Sequence, residues 1–128
     1  MDITLNPELP AQREVLKSVE PAVRGFMDRH TASRKLWMPS ELMPSGADDD
    51  AELAALRERA KGLPDSVRVS LALNLLTEEG LPHFHRLVAQ YMGHNGVWSE
   101  WNNLWTAEED RHGCVLRDYV RDARIVDM

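Results

Sequence analysis

An imidazole and carboxylates interrupt an otherwise apolar helical stripe, and this pattern constrains the chain more than any other. Trp98, Trp101, Trp105, Glu108, His112, Val115 and Tyr119 recur at three- and four-residue steps. That is the spacing of one face of an α-helix, and it predicts a helix over 97–122. A second acidic segment, Thr77-Glu78-Glu79-Gly80-Leu81-Pro82, follows directly on the apolar run Val69-Ser-Leu-Ala-Leu-Asn-Leu-Leu76. An unpaired carboxylate in such a setting is costly and needs a base, a hydrogen-bond network or a metal beside it.

Spacing suggests which. Glu109 and His112 are three apart and therefore neighbours on a helix. Glu108 and His112 are four apart, and periodicity leaves the choice between the two acids open. A Glu-x-x-His pair joined by a single Glu from an adjacent helix is half of a carboxylate-bridged two-metal site in a four-helix bundle. Carboxylate oxygen and imidazole nitrogen suit iron. A lone Glu-x-x-His also arises from surface ion pairs; Glu78 and the tryptophan-rich stripe raise the metal reading above that background. His83 and His85 are rival ligands, since Glu79 and His83 are four apart, but they are read as surface or partly buried. His30 and His94 fall at helix ends, where positive charge suits the dipole. Pro82 cannot donate to the Glu78 carbonyl, so a helical disturbance is expected at the proposed ligand.

The rest of the chain reads as helix with little strand signal. A first helix is expected over about 10–30, with Leu16, Val19, Val23 and Phe26 on one stripe and a kink or break at Pro21. Residues 31–50 read as a connection, and Asp48-Asp49-Asp50 as a cap for a helix over about 50–61. Gly62 and Pro64 end that helix. A third helix is expected over 65–92; its first half is apolar nearly all round and predicts burial on several sides. The fold class is all-α, a helical bundle. With 128 residues, one domain with one core is expected.

Composition narrows the function. A formal charge of −6 argues against nucleic acid as a partner. No stretch has the apolar length of a membrane span. The N-terminus has no basic region followed by an apolar run, so no signal peptide is expected. Cys114 is the single cysteine, which excludes an intrachain disulfide and suggests a reducing, cytoplasmic setting. A small apolar role suits it better than a catalytic thiol.

The motifs together resemble one family, in order and over most of the chain. Trp37-Met-Pro-Ser-Glu-Leu-Met-Pro44, Leu56-Arg-Glu-Arg-Ala-Lys-Gly-Leu-Pro64, Leu76-Thr-Glu-Glu-Gly-Leu-Pro82 and Trp105-Thr-Ala-Glu-Glu-Asp-Arg-His-Gly113 are similar to segments of the soluble acyl-acyl-carrier-protein desaturases of plant plastids and their actinobacterial relatives. The resemblance implies the N-terminal part of a ferritin-like bundle: the first two metal-bearing helices and the helices before them. It implies a di-iron cofactor with Glu78 as a terminal ligand, Glu109 as a bridge and His112 completing the first iron's shell. Trp105 would pack beside the site, and Trp37 would lie on an electron route to it. Glu79 and Glu108 would support the site or the structure.

The implied activity is O₂-dependent insertion of a cis double bond into an acyl chain on acyl carrier protein. Electrons would come from a ferredoxin-like donor, and a homodimer is the expected assembly. Arg24, Arg29, Arg34 and Lys35 are candidates for a basic carrier-protein patch, although a solvated charged face explains most of them equally well. Two departures stand out. Glu78 and Glu109 are 31 positions apart (109 − 78), a shorter connection than in the plant enzymes. The family's second Glu and second Glu-x-x-His have no counterpart here. The 128-residue chain is therefore expected to be inactive alone: a fragment, or a half-site protein completed by a second copy. The alternative from another class is a non-catalytic helical interaction module.

Overall fold

The computed structural model describes residues 9–44 and 50–127. It contains α1 (Leu9–Ser33), a 3₁₀ turn (Pro39–Glu41), α2 (Asp50–Lys61), α3 (Asp65–Met92) and α4 (Val97–Asp122). No strand occurs among the described residues, and the all-α expectation holds. The acidic cap falls partly outside the description: Asp48 and Asp49 lie there, and Asp50 opens α2.

The chain forms two compact units. The first joins the segment up to Lys35 with His85–Trp105. The second joins Leu36–Phe84 with the chain from Thr106 onward. The contacts thus fall into two clusters, one in each unit.

In the second unit the core follows from helical spacing. Leu56 and Ala60 stand four apart on α2, and Leu71 and Leu75 four apart on α3. Leu116, Tyr119, Val120 and Ala123 line one side of α4 and its exit. Ala60, Leu75, Val120, Ala123 and Ile125 are buried, with Leu56, Leu63, Leu71, Leu116 and Tyr119 packed against them. Burying a side chain such as Leu75 or Ile125 stabilises by about 1.5–3 kcal/mol. The first half of α3, expected to be buried on several sides, leaves Val69, Leu73 and Leu76 66%, 61% and 67% exposed. A helix buries only the faces that meet neighbours, and here the Leu71–Leu75 face does so.

Helix ends in this unit are closed by arginines. Arg68 donates from Nη2 to the Ala60 carbonyl (2.5 Å), from Nε to that of Leu63 (3.3 Å) and from Nη1 to that of Ile125 (3.0 Å). It thereby ties the last turn of α2 and the chain just beyond it to the segment that follows α4. Arg57 likewise reaches the end of α4, donating to the Asp122 carbonyl at 2.9 Å. Beyond α4 the chain turns in a Schellman arrangement. Ile125 N–H donates to the Val120 carbonyl (3.0 Å), and Arg124 N–H to that of Arg121 (3.2 Å). Arg124 has φ 54, a conformation that glycine adopts without penalty. The buried Ile125 and Val120 supply the hydrophobic contact of that motif.

In the first unit α1 runs through Pro21 as one helix, so of the expected kink or break the break is not found. Lys17, whose carbonyl loses its donor, and Pro21 are both exposed, and water can replace the missing bond. The expected α1 stripe is only partly covered. Leu16 and Val23 are half-buried, while Val19 and Phe26 are 38% and 63% exposed. Trp98 Nε1 donates to the Leu16 carbonyl at 3.0 Å. Arg24 pairs with Glu100, an exposed contact of the kind that adds little stability. Gly93 (φ 93) and Gly96 (φ 85) turn the chain between α3 and α4 in left-handed conformations that side chains resist.

Arg124 generates a prediction. Arg124→Gly removes the Cβ penalty of the left-handed conformation and should stabilise the chain by about 1 kcal/mol. Urea unfolding of both forms would read this as a higher midpoint at an unchanged slope; a lower midpoint would contradict it.

Candidate metal centre

The metal-ligating candidates continue the core stripes of the second unit. On α3, Leu71, Leu75 and Glu78 follow at steps of four and three, so Glu78 falls on the face that Leu75 buries. On α4, Glu109, His112, Leu116 and Val120 follow at steps of three, four and four. Gly113 is buried between them. A Cβ built there would lie 3.5 Å from the Glu78 Cβ, in ordinary contact, so α4 and α3 are close neighbours at the ligand.

One donor atom from each of Glu78, Glu109 and His112 lies within 4.8 Å of the others. Among the described residues no other group of three such side chains meets that condition. Of the two acids that spacing leaves open, Glu109 is the one in this group, with its Oε2 2.8 Å from His112 Nδ1. Glu78 and Glu109 are half-buried, and His112 is exposed. The α3 helix passes through Pro82 without interruption, so the expected disturbance amounts at most to a lost hydrogen bond.

The electrostatics describe an anionic pocket that favours a cation. Burial raises the Glu78 carboxyl pKa, the charge of Glu109 and its hydrogen bond raise it further, and His112 opposes them. Glu78 Oε2 is buried without a hydrogen-bond partner. Such an oxygen, facing a second carboxylate and an imidazole, has the chemistry of a metal donor. The set fits a hard or borderline cation such as iron.

Trp37, from the connection before the 3₁₀ turn, stacks on His112 with ring centroids 6.0 Å apart and planes 14° from parallel. The Arg111 guanidinium lies 6.0 Å from the centroid of the same indole. Spacing gave no sign of Arg111; only its place inside Glu109-Asp110-Arg111-His112 pointed to it. The remaining candidates have other partners. Glu79 pairs with Arg117 at 3.0 Å, and Glu108 is half-buried on α4. In the first unit Trp105 stacks on Trp101 (5.2 Å, 22°) and meets His85 edge-on (4.3 Å, 73°).

His83 is exposed, as expected, but His85 is buried at 6% exposure, against the expected surface or partial burial. The cause is Asn102, which donates to the His85 carbonyl at 3.1 Å and places its Oδ1 3.3 Å from His85 Nδ1. Cys114 is a half-buried free thiol.

The helices bring a Glu together with a Glu-x-x-His, the donor types of a carboxylate–imidazole metal site. Residues 11–128 match the model of the family described as fatty acid desaturase, and the chain belongs to that family. It is 37% identical over 124 residues to DesA1 of Mycobacterium tuberculosis, assigned as an acyl-(acyl-carrier-protein) desaturase, covering 89% of this chain and 35% of that one. It is 33% identical over 137 residues to the chloroplastic stearoyl-(acyl-carrier-protein) 9-desaturase of Ricinus communis, covering 98% and 35%. For the corresponding protein of Brassica napus the figures are 35% over 129 residues, 93% and 32%. The chain thus spans about a third of the length of the curated relatives it matches.

The raised Glu78 pKa has a definite sign. A carboxyl whose value is higher folded than unfolded favours the fold at low pH and loses that contribution as pH rises through the raised value. Glu78→Gln removes the charge and should make the metal-free chain more stable at neutral pH, with a flatter dependence on pH above the ordinary carboxylate range. Chemical unfolding at a series of pH values checks this, and a destabilised variant at neutral pH would count against the electrostatic description.

Proposed function

We propose that this chain is part of an acyl-(acyl-carrier-protein) desaturase, supplying half of its di-iron centre. The convergence of Glu78, Glu109 and His112 supports the reading, and so does membership of the family. Those three side chains would hold iron. Iron bound there would supply the oxidising chemistry: two hydrogens leave adjacent methylenes of the acyl chain, and O₂ is reduced to water with two further electrons from a ferredoxin-like donor.

The protein's own residues have simpler tasks. Glu78 and Glu109 set the anionic charge that retains the cation. The imidazole of His112 supplies a nitrogen donor. The substrate would be an acyl chain carried on acyl carrier protein. Arg29 and Lys35 remain exposed on or just after α1 and suit contact with an acidic carrier. Arg24, already paired with Glu100, suits it less. No described helix is long and apolar enough to cross a membrane, and the cytoplasm is the compartment we assign.

Three ligands cannot complete two irons. In this reading the other half, a further Glu and Glu-x-x-His, comes from outside these 128 residues. The exposed Val69, Leu73 and Leu76 of α3 are consistent with further helices packing there. A second copy of the chain in a homodimer is the other source.

Iron stoichiometry and oligomer mass separate these sources. An anaerobic Fe(II) titration should give metal binding that Glu109→Ala or His112→Ala weakens at least about 100-fold, because losing a supporting residue alone costs 10–100-fold. Two irons in a homodimer would point to the second copy, while weak binding to a monomer would point to further sequence. The genomic sequence immediately downstream checks the latter directly. Binding that ignores all three side chains would defeat the proposal.

A further inference from the structure

We propose that Arg111 is a positioning residue: it holds the Trp37 indole in place, and the indole sets the orientation of the His112 ring. The inference deepens the metal-centre reading and rests on it for its consequence in metal affinity, but the positioning itself is a property of the chain's own side chains.

Three observations carry it. His112 and Trp37 are stacked, 14° from parallel, so the indole restricts rotation of the imidazole about its side-chain bonds. Arg111 stands over the same indole, within the distance at which a guanidinium is attracted to an aromatic face. Arg111 Nε is buried and has no hydrogen-bond partner. A cation placed so that one donor is buried and unserved is costly, and its contact with the indole is the interaction the structure offers in return. Guanidinium is suited to this, being planar, weakly hydrated and always charged.

The need for such a device is visible at the site. His112 has a 46% exposed side chain, against 22% for Glu109. It is therefore the ligand least held by packing. Its other polar contact is to Glu109, itself a candidate ligand. Trp37 comes from an extended connection outside the helices, so it needs a tether of its own. Arg111, adjacent to His112 in sequence, ties the indole back to α4.

The experiment uses the 128-residue chain and two readouts. The first is the ring-proton shifts of His112 in the metal-free chain, which report stacking on an indole. The second is Co(II) affinity with its visible absorption, which reports ligand orientation. Arg111→Met should move the His112 ring shifts toward those of an unstacked imidazole, weaken Co(II) binding about tenfold and alter the absorption bands. Trp37→Leu should match it, Trp37→Phe should retain most of the wild-type behaviour, and the double variant Arg111→Met/Trp37→Leu should lose no more than Trp37→Leu alone. Arg111→Lys, a compact charge that stacks poorly, should fall between, and it serves if the methionine variant fails to keep its helicity.

Unchanged ring shifts in folded Arg111→Met or Arg111→Lys chains would overturn the proposal, as would losses from Arg111 and Trp37 that simply add. If wild-type chain binds no Co(II), the metal-centre reading fails, and the ring shifts alone still decide whether Arg111 acts on His112 through Trp37.

Discussion

The structure of the second unit turns on one close approach, that of α4 to α3 at Gly113 and Glu78. A Cβ added at the buried glycine would stand 3.5 Å from the Glu78 Cβ, in ordinary contact. That spacing brings Glu78 toward Glu109 and His112, and so brings two carboxylates together. Their mutual repulsion and the desolvation of Glu78 oppose the fold. What holds the helices there is the core one or two turns away. Leu75 on α3 and Val120 on α4 are buried in one cluster with Ala60, Ala123 and Ile125. The hydrophobic cluster thus stabilises a geometry that the charged groups, in the absence of a cation, resist. That division is usual where function needs a strained site on a stable base.

Much of this was legible in the sequence. The bounds expected for the second, third and fourth helices agree with α2, α3 and α4 to the residue, because glycines and prolines punctuate each one. The Glu-x-x-His pair is helical spacing and nothing more, whereas the stripe read through Glu108, His112, Val115 and Tyr119 differs by about one position from the Leu116–Val120 face that joins the core. The choice between Glu108 and Glu109 was not legible. Both lie one turn from His112, and only the position of Glu78 on another helix separates them. Local spacing carries no information about a partner thirty residues away.

The misreadings have similar causes. A first half of α3 apolar nearly all round suggested burial on several sides, yet composition cannot say how many neighbours a helix meets. Pro21 suggested a kink or break, but a single missing donor on an exposed face is tolerated without a break. His85 looked superficial because nothing near it in sequence announces Asn102, seventeen residues on, as its partner. In each case the deciding contact is tertiary.

The Trp37 stack belongs to the same class, and it bears on how a site half built from exposed groups keeps its shape. Glu78 and Glu109 are fixed by helices that pack against each other through a core. His112 is not: its ring stands toward solvent, and a helical backbone fixes only where the side chain begins. Two rotatable bonds remain, and a metal ligand that samples them loses affinity in proportion to the time spent away. A flat aromatic surface beside the ring removes that freedom without competing for the nitrogen lone pairs, which a hydrogen-bonding neighbour would do. An indole is therefore a better support for an exposed imidazole ligand than a second carboxylate would be, provided something holds the indole. Here Arg111 is placed against it, one residue from the candidate ligand it serves.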